Sequence, residues 1–276
     1  MTGDRSLLPM SHQMFVIMSG LVAERSGLHF ASPLVNAFAD KVAARSAEMG
    51  FQSLQDYYYL LRYDRTGPAE LDALIEALVV SETYLFRELA PLELMVSEFL
   101  VPVIGTGRRP RLWCAACATG EEPYTVAMFL AARGLLDEVD LVASDISASA
   151  VARARAGLWG RRALRRDVPG FANPWLQVDD LTVRVPPRLT DAVDWRRINL
   201  LDEAAIAALG TFDVVLCRNV LIYFSDVTAR GVVDRVGARL RIGGALFVGV
   251  SESLQRLKTP LACEERDGVF LYKRTA

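Results

Sequence analysis

The sequence predicts an α/β fold, a doubly wound, mostly parallel sheet preceded by a helical domain. Three observations carry this. Residues 112–117 (LWCAAC), 139–144 (VDLVAS) and 212–217 (FDVVLC) are short apolar runs, as strands buried on both faces are. All three runs deliver polar residues at their C-terminal ends, and the first passes into helical spacing, as in a βα repeat. Residues 14–80, by contrast, show helical period with no useful strand-like alternation.

Taken in order, residues 1–80 read as helices near 13–26, 33–49, 53–63 and 68–80, broken at Gly27, Gly50 and Gly67-Pro68. They carry a net charge of −3, and only Lys41 and Arg45, four apart on one helical face, form a basic pair there. A plain solvated face is the alternative reading of that pair. The apolar run 14–22 lacks a basic leader and is too short to span a bilayer, so neither a secretory signal nor membrane insertion is expected. The 276-residue chain has a net charge of −2, which gives no global pull toward nucleic acid.

Residues 112–130 change period halfway, from strand to helix. Thr119 with Glu122 reads as a capping box and Pro123 as a first-turn proline, so a helix begins near 119–123. A strand, a tight turn and a helix N-terminus together aim backbone N–H groups at a crevice, where a ligand usually sits in a parallel sheet. The only glycine of this turn is Gly120, so no GxGxxG is present. Asp145 closes the next strand at about the distance where α/β nucleoside sites place an acid for the ribose hydroxyls.

Cys114 and Cys117 have redox-pair spacing, but a metal site would need a second such pair and none exists. They read as small packing residues. The only histidines are His12 and His29, neither near a cysteine, which leaves no base for a His-dependent hydrolase.

Beyond Asp145, residues 153–166 hold six arginines and no acid. Such a run is a solvated face or attracts an acidic surface, whether a Glu-rich protein segment or a nucleic acid. Residues 175–185 have hairpin character around Asp179-Asp180. A strand at 193–201 exits at Asn199-Leu200, and the strand 212–217 runs into Arg218-Asn219. A helix near 226–240, a turn at Gly243-Gly244, a strand at 244–250 and a last antiparallel strand at 268–273 complete a seven-stranded sheet.

Five segments together, SETYLFRE (81–88), WCAACATGEEPYTVAM (113–128), SDIS…A (144–154), FDVVLCRNVLIYF (212–224) and GGALFVGVSESL (243–254), resemble the CheR family in order and spacing. The resemblance implies a class I methyltransferase fold. Its parts would be a receptor-interacting all-α domain over 1–80, a linker over 81–92 that contributes to the cofactor site, and an S-adenosylmethionine-binding domain over 93–276. A small antiparallel β insertion is expected at about 170–192. The implied reaction is methyl transfer from S-adenosylmethionine to glutamate carboxylates of a methyl-accepting chemoreceptor, with S-adenosylhomocysteine as product and no metal. The implied partner is the cytoplasmic domain of that receptor, with no nucleic acid, and the expected state is a cytoplasmic monomer.

By the same resemblance, Ser81, Thr83, Arg87, Ala116, Glu121, Asp145, Asn199, Leu200, Arg218 and Asn219 bind the cofactor, while Arg87, Asn219 and Tyr223 act in catalysis. Leu85 departs from the family, which usually has Phe there. Arg87 suits bidentate grip on a carboxylate, that of the cofactor or of the substrate. Asp145 and Glu121 would hold ribose and ammonium, and Asn199 and Leu200 the adenine. Two other readings stand beside this one. A methyltransferase of nucleic acid or a small molecule fits the arginine run, although no N/D-P-P-Y/F motif is present; a non-catalytic module that senses the cofactor fits the altered N-terminal face.

Overall fold

The computed structural model describes residues 8–31 and 34–276. The chain divides into two compact units, one of the described residues up to Val80 with Tyr223–Ser225, the other of Ser81–Ile222 with Asp226–Ala276.

The first unit holds α1 (His12–Ser26), α2 (Val35–Glu48), α3 (Leu54–Tyr63) and α4 (Gly67–Leu78). Residue 33, the predicted start of α2, lies outside the described residues. Ser11 caps α1 by accepting the Met14 N–H, and Ser53 caps α3 through the N–H groups of Gln55 and Asp56. Met18, Val22, Phe38, Val42, Tyr57 and Leu74 fill the core between them. Glu70 is buried and accepts the Arg45 guanidinium through Nε at 2.8 Å and Nη2 at 2.7 Å, and the Tyr57 hydroxyl at 2.8 Å. Lys41 donates to the Leu78 carbonyl at 3.4 Å. The basic pair anticipated at Lys41 and Arg45 is therefore no charged stripe. A buried carboxylate needs a cation, and Arg45 turns inward to supply it. Leu28 bridges Phe224, and the Tyr223 carbonyl accepts the His29 N–H.

The second unit begins with α5 (Leu89–Met95), which continues through a π-helical turn into α6 (Val101–Ile104). There follow β1 (Arg111–Ala115), α7 (Glu121–Ala131), β2 (Asp140–Asp145), α8 (Ala148–Ala156) and β3 (Leu158–Gly160). Next come β4 (Gln177–Val178), β5 (Thr182–Arg184), α9 (Pro187–Thr190), β6 (Val193–Arg197), α10 (Glu203–Ala208) and β7 (Phe212–Cys217). The unit closes with α11 (Asp226–Gly237), β8 (Leu240–Phe247), β9 (Ala262–Arg266) and β10 (Val269–Lys273). The main sheet has the order β6-β2-β1-β7-β8-β10-β9, in which the first five strands are parallel and β10 is antiparallel to both its neighbours. Strand β7 is buried at every residue, as its apolar run requires.

Four local expectations change. Helix α7 starts at Glu121 with Gly120 in the left-handed region as its cap, and Thr119 bonds Glu121 rather than forming a box with Glu122. Gly243-Gly244 is not a turn before a strand but lies inside β8. Register against β7 shifts there, and a Cβ on Gly244 would stand 2.7 Å from the Asp213 carbonyl. The hairpin β4–β5 gains a third strand, β3, from residues read only as an arginine-rich run. Strand β9 carries the charges of Glu264, Glu265 and Arg266, which hid its alternation.

Candidate active site

The carboxyl ends of β6, β2, β1 and β7 stand side by side, and predicted residues occupy each of them. Ala116 directly follows β1, Asp145 closes β2, Asn199 and Leu200 lie just beyond β6, and Arg218 directly follows β7. Strands β2 and β6 lie to one side of β1, and β7 and β8 to the other. The crevice therefore opens beyond β1 and β7, where the winding reverses.

The loop after β1 takes left-handed backbone three times in five residues, at Ala116 (φ 56°), Ala118 (φ 47°) and Gly120 (φ 94°). The two alanines cost about 1 kcal/mol each or more. Cross-links from neighbouring elements hold them. Cys117 N–H donates to the Ser144 carbonyl at 2.9 Å, Ala118 N–H to Asp145 Oδ2 at 2.8 Å, and the Trp159 indole to the Thr119 carbonyl at 2.9 Å. The other oxygen of Asp145 accepts the Ser147 N–H at 2.9 Å, so this carboxylate ties the β1 loop to the start of α8. Glu121 is 3% exposed and accepts the Thr119 hydroxyl at 2.7 Å. Burial pushes its carboxyl above the usual range, with the Thr119 bond opposing. Asn199 accepts the Leu201 N–H at 2.9 Å, beside a buried Leu200.

A second group of charges lies beside this loop. The Arg218 side chain is 1% exposed; it donates to Glu122 at 2.5 Å, to Glu88 at 2.6 Å and to the Arg87 carbonyl at 3.4 Å. Burial alone would lower its pKa, but the charges of Glu122 and Glu88 outweigh that and hold it above the ordinary value. Burial raises the Glu122 carboxyl, and Arg218 offsets this only in part. Two acids thus claim the guanidinium, which ties residues 87–88 to α7. Arg87 lies next to this tie, with a buried Nε that makes no hydrogen bond and stands 3.7 Å from Glu88.

Asn219 follows in left-handed backbone (φ 59°), its N–H donating to Glu252 at 2.7 Å. Ser81 is exposed and Thr83 half-buried, and neither bonds another predicted residue among the described residues. Tyr223 lies further along the chain from Asn219, and its carbonyl accepts the His29 N–H at 2.8 Å. Glu88 and Glu252 received no role from sequence, and Glu122 only that of a capping-box acid. Their signal, acids beside an arginine or just past a strand in otherwise apolar surroundings, is shared by many surface residues.

Burial raises the thiols of Cys114, Cys117 and Cys217 well above their usual range, which disfavours thiolate chemistry. Among the described residues no cluster of three or more His, Cys, Asp or Glu side chains could hold a metal ion, and no helix is long and apolar enough to cross a membrane.

Comparison with known proteins agrees with this geometry. The family model described as CheR methyltransferase, SAM binding domain, matches residues 81–269. Chemotaxis protein methyltransferase 2 of Vibrio cholerae is 33% identical over 243 residues, covering 86% of this chain and 84% of its own. Chemotaxis protein methyltransferase 1 of Pseudomonas aeruginosa is 34% identical over 220 residues, covering 76% and 79%. The probable biofilm formation methyltransferase WspC of P. aeruginosa is 35% identical over 269 residues; these are 93% of this chain but 61% of that longer protein. With a nucleoside-type crevice at the sheet's switch point and a family match over most of its length, the chain belongs to the CheR family of S-adenosylmethionine-dependent methyltransferases.

Proposed function

We propose that the chain methylates glutamate side-chain carboxylates of a bacterial chemoreceptor, giving glutamyl methyl esters and S-adenosylhomocysteine. One observation carries the reading. The described residues of the crevice supply acids, an arginine and amides but no histidine, so the site is equipped to orient an acceptor that is already ionised. A glutamate is such an acceptor at neutral pH. The relatives named chemotaxis protein methyltransferase support it.

The residues present fit the cofactor. Asp145 is a carboxylate fixed by backbone at a strand end, suited to vicinal hydroxyls; Glu121 is a buried acid suited to an ammonium group; Arg87 has a buried Nε awaiting an acceptor. Asn199 and Leu200 would face the adenine edge and ring. When bound, S-adenosylmethionine supplies an electrophilic methyl group on a sulfonium. The chain's own task is then positional. Arg87 grips a carboxylate, Asn219 orients the acceptor oxygen, and Arg218 acts from behind by holding the chain at Arg87 and Glu88. Fixing the reacting groups in line is worth several kcal/mol, on the order of 7–11 at best.

Burial of Glu121 gives this scheme a pH signature. The ammonium group pairs with the ionised form, and the folded protein holds Glu121 protonated to a higher pH than an ordinary glutamate. Cofactor affinity therefore falls as pH drops through that raised pKa, starting above the usual value of about 4.3. Calorimetric titration across the acid range is expected to show this limb in the native protein. Glu121→Gln is expected to lose the limb and to bind about tenfold more weakly at neutral pH. An unchanged acid limb in the variant removes Glu121 from the ammonium site.

The reaction itself is tested by incubating the protein with methyl-labelled S-adenosylmethionine and membranes of the source organism. Label on a receptor-sized band that mild alkali releases as methanol is expected. Alkali-stable label, or label on nucleic acid, overturns the proposal.

A further inference from the structure

The sheet's carboxyl edge carries one acid that neither the cofactor scheme nor the arginine tie uses. Glu252 is 9% exposed and lies past the end of β8, in the turn from Gly249, where its own N–H donates to the Gly249 carbonyl at 2.8 Å. Its carboxylate accepts four backbone N–H groups. Oε2 takes those of Asn219 and Gly249, both at 2.7 Å, and Oε1 takes those of Leu221 at 2.7 Å and Ile222 at 3.3 Å. Three of the four belong to the loop that leaves β7, and none of them lies in a strand.

That loop is the one that needs holding. Asn219 is in left-handed backbone, which asparagine tolerates better than most residues but which the contacts around it still have to select. Gly249 packs directly beneath the asparagine side chain. A Cβ there would stand 2.4 Å from Asn219 Nδ2 and 2.9 Å from Glu252 Oε2. Position 249 must therefore be glycine for the amide to lie where it does. On the chain's other side Arg218 is locked by Glu88 and Glu122, so Asn219 is clamped from both flanks, by an arginine between two acids and by an acid among four amides.

We propose that Glu252 is the positioning residue of the methyl-transfer site, holding the loop after β7 in the conformation that presents the Asn219 amide to the acceptor. The inference rests on the reading of Asn219 as the acceptor's orienting group. Glutamine fails in this role for a definite reason. It keeps one acceptor oxygen and turns an NH2 toward N–H groups that already donate, so at least one pair of donors faces each other.

Two readouts test it, one independent of activity. In Glu252→Gln, hydrogen exchange at the amides of Asn219, Leu221 and Ile222 is expected to speed up by about tenfold or more, while amides within β1 and β2 stay protected. Methyl transfer to source membranes is expected to lose about tenfold in kcat, with KM for S-adenosylmethionine within about twofold. Built on Asn219→Ala, the same substitution is expected to cost less than about twofold more, because its effect runs through the residue already removed. Gly249→Ala, which leaves both acidic and amide groups in place, is expected to repeat the kcat loss. Unchanged exchange in Glu252→Gln, a loss that multiplies in full on the Asn219→Ala background, or full kcat in Gly249→Ala overturns the inference. Full activity in Asn219→Ala alone overturns instead the reading of Asn219. Should Glu252→Gln not fold, Gly249→Ala with the same double-variant comparison decides.

Discussion

Asp145→Ala is expected to weaken S-adenosylmethionine binding by at least about a hundredfold, or roughly 3 kcal/mol. Two losses combine in it. On the proposed binding mode the ribose hydroxyls lose a charged acceptor, and hydrogen bonds to charged groups are worth about 1.5–3 kcal/mol each. The loop after β1 also loses the oxygen that holds the Ala118 N–H, and with it one restraint on two left-handed alanines. Asp145→Asn separates the effects, since it keeps an oxygen for one backbone donor but removes the charge. Isothermal titration is expected to place Asn between the native protein and Ala. Binding within threefold of native in Asp145→Ala means that the crevice beyond β2 does not hold the ribose.

Arg218→Met is expected to act on the fold rather than on affinity, lowering stability at neutral pH by about 3–5 kcal/mol. Removing the guanidinium leaves Glu88 and Glu122 facing each other with side chains only 20% and 17% exposed. The loss has a pH sign. A carboxyl whose folded pKa lies above its unfolded value stabilises the fold when protonated, and that contribution disappears as pH rises through the folded pKa. Burial already raises Glu122 in the native protein, and without Arg218 only the weaker attraction of Arg87 opposes it. The variant is therefore expected to recover much of its deficit as pH falls toward 5, as followed by urea unfolding at several pH values, and Glu122→Gln on the same background is expected to restore part of it at neutral pH. A deficit that does not change with pH means that shape rather than unpaired charge sets the cost.

Much of the fold was legible because burial leaves a period in the sequence. Strands β1, β2 and β7 are apolar on both faces, α1 and α2 end at or next to Gly27 and Gly50, and α4 begins at Gly67-Pro68, so their positions follow from spacing alone. The elements that were missed carry charge or interrupt a pattern. Strand β9 lies at the sheet edge, where half-buried Glu264 and Arg266 pair with each other, and β3 is a three-residue strand whose partner lies more than twenty residues away. Gly243 and Gly244 have turn chemistry by composition, yet a bulge in a strand requires the same conformational freedom.

By itself the sequence determined which residues stand at the carboxyl ends of the strands. A parallel strand delivers its last residue to the carboxyl edge whatever the rest of the chain does, so Asp145, Asn199 and Arg218 could be placed from strand ends. What these groups are free to do was decided only in three dimensions. Arg45 and Arg218 look alike in a sequence, each a cation with acids nearby, but each is consumed by a buried carboxylate, at Glu70 or at Glu88 and Glu122. Arg87, only one residue from Glu88, keeps a buried nitrogen that makes no hydrogen bond. Glu252 gains its place only because the ends of β7 and β8 meet, thirty residues apart along the chain and hydrogen-bonded across the sheet. Charge pairing acts over a few ångströms of space, and sequence separation says little about which acid will be within reach of which donor.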